Sequence, residues 1–186
     1  SFLFVAYMIS GFFGAPLNIL SGWLPPKTEK IEHIDGVSHS GKLQGIHGVN
    51  CYFDYEEALS VAKETGKPLF IDFTGHGCVN CREMESVVLS DKEVLQILHD
   101  NYIVASLYVD DRRELPEPFI GEDGLEYTEV GEKWTYFQQH EFGALSQPFY
   151  VLVDAEGNRL NGSFAFDKNV GKFVEFLKGG LAKFNE

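Results

Sequence analysis

Basic residues are scarce in this sequence. Fifteen Lys and Arg stand against 28 Asp and Glu, a formal net charge of −13, and no run of Lys or Arg is longer than two. Such a balance opposes any grip on a phosphate backbone or an anionic bilayer surface through a basic patch, so no nucleic-acid partner is expected. Cysteine is equally sparse: Cys51, Cys78 and Cys81 are the only three, too few for a disulfide-stapled secreted scaffold. Internal repeats are missing as well. The sequence does hold apolar material, 44% hydrophobic and 14% aromatic over 186 residues. That is enough to bury one good-sized core and too short a chain for two large domains.

Charge is absent altogether from the first 24 residues, SFLFVAYMISGFFGAPLNILSGWL. An uncharged apolar stretch of this length is a transmembrane candidate. Gly11, Gly14 and Pro16 are better tolerated in a membrane helix than in a soluble one, and Trp23 before Pro25 and Pro26 resembles an interfacial anchor with an exit turn. A signal peptide fits less well, because there is no basic leading region and no small-x-small cleavage site. The alternative is an apolar arm packed on the soluble domain. We read residues 1–24 as the end of a transmembrane segment belonging to a larger membrane protein, residues 25–49 as a linker or extended arm rich in Gly, Ser and His, and residues 50–186 as the folded domain.

Within that domain Asp54 and Glu57 make a capping-box-like start to a helix whose apolar face is Ala58, Leu59 and Ala62, ending at Gly66. Pro68 to Phe73 is a nearly continuous apolar run, as expected of a central strand buried on both faces. Asp72 is the anomaly in it. After Cys81, Met84, Val87 and Val88 recur at helical spacing, and Ser90 with Glu93 restarts a helix carrying Val94, Leu95 and Leu98. Tyr102 to Val109 reads as a second buried strand, completing a right-handed parallel unit. Asp111 to about Gly131 is rich in acid, Pro and Gly without a core pattern and reads as an insertion loop. Trp134 to Phe142 reads as a helix, Pro148–Val153 and Arg159–Phe164 as a hairpin, and the last helix starts near Asp167.

Chemistry concentrates in Phe70-Ile-Asp-Phe-Thr-Gly-His-Gly-Cys78-Val-Asn-Cys81-Arg-Glu-Met-Glu85, where a strand gives way to a helix. Two cysteines three apart in a first helical turn can close a small disulfide, and the helix dipole and free N–H groups favour a thiolate on the first. The second is then positioned to resolve a mixed disulfide. The same pair can also be half of a zinc site. Cys51, His47 and His76 are the candidates to complete one, but no second Cys-x-x-Cys or His pair stands at metal spacing, so no metal is expected.

The element order resembles a thioredoxin-like fold, a mixed central sheet flanked by helices. The run GKPLFIDFTGHGCVNCREME, with FDYEEALSVAKETG before it and GAPLNILSGWLPP at the end of the apolar segment, is similar to the C-terminal domain and last transmembrane helix of the thiol:disulfide interchange protein DsbD family. That resemblance implies a protein-disulfide reductase with no cofactor beyond its redox-active disulfide, sited in a bacterial inner membrane with this domain facing the periplasm. Its partners would be the transmembrane and N-terminal domains of the same protein, periplasmic thiol proteins downstream and cytoplasmic thioredoxin indirectly. Cys78 would attack and Cys81 resolve. Asp72, six before Cys78, takes the place of a buried acid that relays a proton to or from Cys81, and Glu85 that of a second acid that tunes the thiols. Pro148 matches the cis-proline that faces the pair and presents the backbone of Gln147, so Gly77, Val79, Asn80, Gln147 and Pro148 would form the surface met by a substrate strand. Many relatives carry Trp where this chain has Gly77. Two further readings compete: a stand-alone thioredoxin-like reductase or isomerase anchored by one helix, and a zinc or copper module using the same cysteines.

Overall fold

The computed structural model describes residues 43–44 and 49–186; the apolar segment 1–24 and most of the arm read at 25–49 lie outside the described residues. Among the described residues, no helix is long and apolar enough to cross a membrane.

The run after Pro68 forms strand β3, Leu69–Thr74, with all six residues buried. In chain order it is preceded by β1 (Leu43–Gln44), β2 (Asn50–Tyr52) and helix α1 (Tyr55–Thr65). It is followed by α2 (Val79–Val87), α3 (Lys92–Asn101) and β4 (Ile103–Tyr108), then β5 (Glu114–Ile120) and β6 (Glu126–Glu129), then α4 (Val130–Phe142), β7 (Phe149–Val153) and α5 (Val170–Phe184). The main sheet has the order β1-β2-β4-β3-β7. β3 runs parallel to β4 from Leu69↔Ile103 to Thr74↔Tyr108 and antiparallel to β7 from Leu69↔Val153 to Phe73↔Phe149. β2 adds parallel to β4, and β1 closes that edge antiparallel to β2.

Side chains alternate across a strand, so β3 sends Phe70 and Asp72 to one face and Leu69, Ile71 and Phe73 to the other. Two cores result. Phe70, Val104, Tyr150 and Leu152 pack with Met84 and Val88 around α2, Val94 and Leu98 of α3, and Phe173 and Leu177 of α5. Ile71, Phe73, Leu107 and Val151 pack with Ala58 and Ala62 of α1 and Trp134 of α4. Asp72 therefore sits among apolar residues on the face covered by α2.

Helix boundaries follow their caps. Asp54 Oδ1 accepts from the Glu57 N–H at 3.0 Å, and Gly66 closes α1 in the left-handed region at φ 65°. α3 starts one residue later than the Ser90 reading: Asp91 accepts from the Glu93 and Val94 N–H groups, while Ser90 Oγ donates back to the Ser86 carbonyl. α5 begins at Val170 because Asn169, not Asp167, caps it through the Lys172 N–H; Asp167 instead holds the Lys172 ammonium.

The structure departs further from the sequence reading: β2 has no counterpart in it, and α4 starts at Val130 rather than Trp134. The segment read as an insertion loop over residues 111–131 is a β-hairpin, β5 with β6, pairing Glu114↔Glu129 and Phe119↔Tyr127. Pro116 and Pro118 are compatible with it because the strand is an edge. A two-stranded ribbon needs a partner surface; here Phe119 and Tyr127 pack on Tyr136 of α4 with ring centroids 5.4 and 5.1 Å away. Gly131 lets α4 start against the end of β4, since a Cβ there would lie 2.6 Å from the Val109 carbonyl oxygen. The second arm of the expected C-terminal hairpin is only bridged to β7, at Tyr150↔Phe164 and Val153↔Arg159. Between those bridges Asn161 turns its amide to the Phe176 carbonyl of α5.

Candidate redox site

The site lies at the C-terminal ends of the parallel strands β3 and β4. β3 ends at Thr74, a turn closes with the Cys78 N–H on the Gly75 carbonyl at 3.2 Å, and α2 begins. Cys78 is the N-cap of α2 and is joined to Cys81 by a disulfide with a Cα–Cα distance of 5.3 Å. Its Sγ also accepts from the Cys81 N–H at 3.1 Å. Cys78 is half-buried, whereas Cys81 is 1% exposed beneath the first turn of the helix. A partner sulfur can therefore reach the first and not the second.

Asp72 is 2% exposed, and its Oδ1 has no hydrogen-bond partner. Burial pushes its carboxyl well above the ordinary range, the nearby Glu85 charge adds to that push, and the Arg82 guanidinium opposes it. Strand register sets Ser106 of β4 and Tyr150 of β7 on either side of it, and Ser106 Oγ is likewise buried without a hydrogen-bond partner. Burial also lifts the Tyr108 hydroxyl to about 12 and the Tyr150 hydroxyl well above its usual value. Of the titratable groups on this face, the Asp72 carboxyl is thus the acid whose protonated form burial favours most.

Glu85 lies on α2 one turn beyond Cys81, half-buried, with Oε1 2.8 Å from Arg82 Nη2. The same guanidinium nitrogen donates to Thr74 Oγ1 and the Gly75 carbonyl, both at 3.2 Å. Arg82 thereby stitches the first turn of α2 to the end of β3. Ahead of the cysteines, the His76 and Gly77 N–H groups donate to the two carboxylate oxygens of Asp110, and the His76 ring stacks on Tyr108 at 4.1 Å.

The Gln147–Pro148 peptide bond is cis, the isomer the resemblance implies. Because Phe149 pairs with Phe73, Pro148 stands at the same end of the sheet as the Gly75–Cys78 turn. Gln147 Nε2 donates to Gln138 Oε1 at 2.8 Å, and Gln138 Nε2 donates to the Ser146 carbonyl, which ties this loop to α4. Gly77, Val79 and Asn80 are exposed around Cys78. Cys51 is 1% exposed in the core on the α2 side of the sheet. His47 lies outside the described residues, and among those described no three His, Cys, Asp or Glu side chains are grouped to hold a metal ion.

Sequence reasoning did not find Arg82, Ser106, Tyr108, Tyr150 or Asp110. One signal was available: in a parallel unit the chemistry gathers beyond the carboxyl ends of the strands, and Tyr108 and Asp110 sit at the end of β4. A cavity of about 560 Å³ opens elsewhere, between the hairpin and α4, lined by Glu122, Asp123, Tyr127, Tyr136, Gln139 and His140. It contains none of the redox residues, and the chemistry of the cysteines places function at the rim instead.

A Cys-x-x-Cys disulfide capping a helix, at the end of a central strand that buries an acid in a five-stranded mixed sheet, defines a thiol–disulfide oxidoreductase of thioredoxin type. The profile of the thioredoxin-like family matches residues 50–155, and the chain belongs to that family. Among curated proteins, it is 27% identical over 106 residues to the thiol:disulfide interchange protein DsbD of Ralstonia nicotianae, a match spanning 57% of this chain and 14% of that protein. Solved structures share the fold, among them the two that follow. A DsbH oxidoreductase has a TM-score of 0.52 and 21% identity, over 79% of this chain and 95% of that one. A thioredoxin from Thermus thermophilus has a TM-score of 0.54 and 23% identity, over 72% and 88% of the two chains.

Proposed function

We propose that this domain is a protein-disulfide reductase that hands two electrons at a time to partner thiol proteins. The observation that carries the reading is the half-buried Cys78 joined to a buried Cys81, with a buried Asp72 on the strand that leads into the pair whose carboxyl is held toward its protonated form. In the reduced domain, the Cys78 thiolate attacks a partner disulfide; one Cys78–partner S–S bond forms and one partner sulfur leaves as a thiolate that takes up a proton. When ionised, Asp72 is a stronger base than an ordinary carboxylate because burial raises its pKa, and in that form it takes the proton of Cys81 as Cys81 attacks Cys78 Sγ. The second partner sulfur leaves as a thiolate that takes up a proton, the partner is then a dithiol, and the Cys78–Cys81 disulfide is restored. No cofactor enters this sequence. Gly77, Val79, Asn80, Gln147 and Pro148 form the surface that the partner strand meets.

The domain must be re-reduced, and we assign that supply to a transmembrane domain of the same DsbD-like protein, with cytoplasmic thioredoxin upstream and the domain itself on the periplasmic face of the inner membrane. The uncharged run of residues 1–24 and the similarity to DsbD support this placement. Trapping tests the reading. Cys81→Ser should accumulate a mixed disulfide through Cys78, and Cys78→Ser none. A chain that bound zinc or copper tightly through both reduced cysteines and exchanged no disulfide would instead be a metal module. Several further spans in the full open reading frame are expected; a single span would mark a stand-alone anchored enzyme.

A further inference from the structure

We propose that Asp110 is a positioning residue for Cys78: it clamps the turn that presents the sulfur to a partner, and its negative charge at that rim favours the Cys78 thiol over the thiolate. The inference rests on the exchange chemistry proposed above, in which Cys78 is the attacking group. Asp110 follows β4, 33 and 34 residues away in sequence from the amides it binds, so the contact is a product of the fold. Its Oδ1 accepts from the His76 N–H at 2.7 Å and its Oδ2 from the Gly77 N–H at 2.8 Å. Two successive amides are thus held by one carboxylate, immediately before the reactive cysteine. Charge-assisted bonds of this length are among the stronger ones a protein makes.

The surroundings are fitted to the carboxylate. A Cβ at Gly75 would lie 3.1 Å from Asp110 Oδ2 and 3.2 Å from its Cγ, tight enough that a side chain there would push on the clamp. His76, on the clamped turn, stacks on Tyr108 two residues before Asp110. The turn therefore gains order from β4 at a place where Gly75 and Gly77 would otherwise leave it loose. The other charges around this rim are partly committed elsewhere: Arg82 pairs with Glu85, and Asp111 with Arg113. Asp72 is buried on β3, while Arg112 is exposed beyond Asp110 and His76 lies on the turn itself. Asp110 accepts from the N–H of the residue next to Cys78, which brings its charge to the turn that carries that sulfur.

The test uses the reduced 186-residue chain, with the Cys78 ionisation midpoint read from the pH dependence of its alkylation rate. Asp110→Asn keeps an oxygen acceptor and removes the charge; the midpoint should fall by about half a unit, a modest shift because the group is exposed to solvent. Raising salt from 10 mM to 1 M should lower the wild-type midpoint more than that of Asp110→Asn. Asp110→Ala removes the clamp too, and hydrogen exchange at the His76 and Gly77 amides should speed up at least roughly tenfold while the β3 amides keep their protection. An unmoved midpoint in Asp110→Asn overturns the electrostatic role, and unchanged amide exchange in Asp110→Ala overturns the clamp. Neither readout depends on a partner. Failure of the wild-type chain to reduce a protein disulfide would count against the reductase reading alone.

Discussion

A carboxylic acid on a central strand is costly to bury, and Asp72 makes that cost measurable. Its native ionisation lies well above the unfolded value of about 4, so the native state holds a proton that the unfolded chain has lost. Stability should therefore fall as pH rises from about 4 through the native ionisation and level off above it, each unit of upward shift costing about 1.4 kcal/mol. Urea titrations of Asp72→Asn across pH should show that fall abolished and the variant more stable than wild type at neutral pH, while resolution of a mixed disulfide by Cys81 becomes slower. A variant that lost stability at neutral pH would contradict the desolvation account. Glu85→Gln removes a charge that raises Asp72 and releases Arg82, which lowers it. Both effects point the same way, so the stability inflection should move to lower pH. Cys78, Cys81 and Asp72 were legible because their signals are local: a spacing, and one acid in an apolar run. Asp110 and Tyr108 were not, since their place at the site depends on β3 and β4 pairing from Leu69↔Ile103 to Thr74↔Tyr108 across more than 30 residues of sequence.

Elements differ in how firmly they are held. Phe173 of α5 is fully buried against Phe70, Tyr150 and Phe164 with ring centroids 5.0 to 6.1 Å away, and Phe173→Ala should cost about 3–5 kcal/mol in chemical denaturation. Phe119 of the hairpin is only partly buried and meets Tyr127 and Tyr136 near the surface. Phe119→Ala should cost less, roughly 1–2 kcal/mol, and should speed amide exchange in β5 and β6 while β3 and β4 stay protected. Equal loss of protection in both sheets would mean that the hairpin is part of the cooperative core. The same difference explains what the sequence reveals. α1 announces itself through Asp54, its apolar spacing and Gly66. The hairpin does not: its strands are stabilised by three aromatic rings meeting across Phe119, Tyr127 and Tyr136, and neither strand alternates apolar and polar residues along its length.

At the scale of the whole molecule, acids on β3, on α2 and after β4 join a helix terminus that favours thiolate, and the balance of these opposed influences decides whether the domain gives or takes electrons. The helix N-terminus at Cys78 lowers the cost of a thiolate, while the charges of Glu85 and Asp110, and of Asp72 once ionised, raise it. The proposed reductase role requires the acids to win, so that the reduced form is the donor. Equilibration of the 186-residue chain with glutathione tests that balance most directly. The account predicts a potential on the reducing side of the strong periplasmic oxidants near about −120 mV by tens of millivolts or more, where about 30 mV is one decade in the equilibrium constant. A potential that matched those oxidants would contradict it.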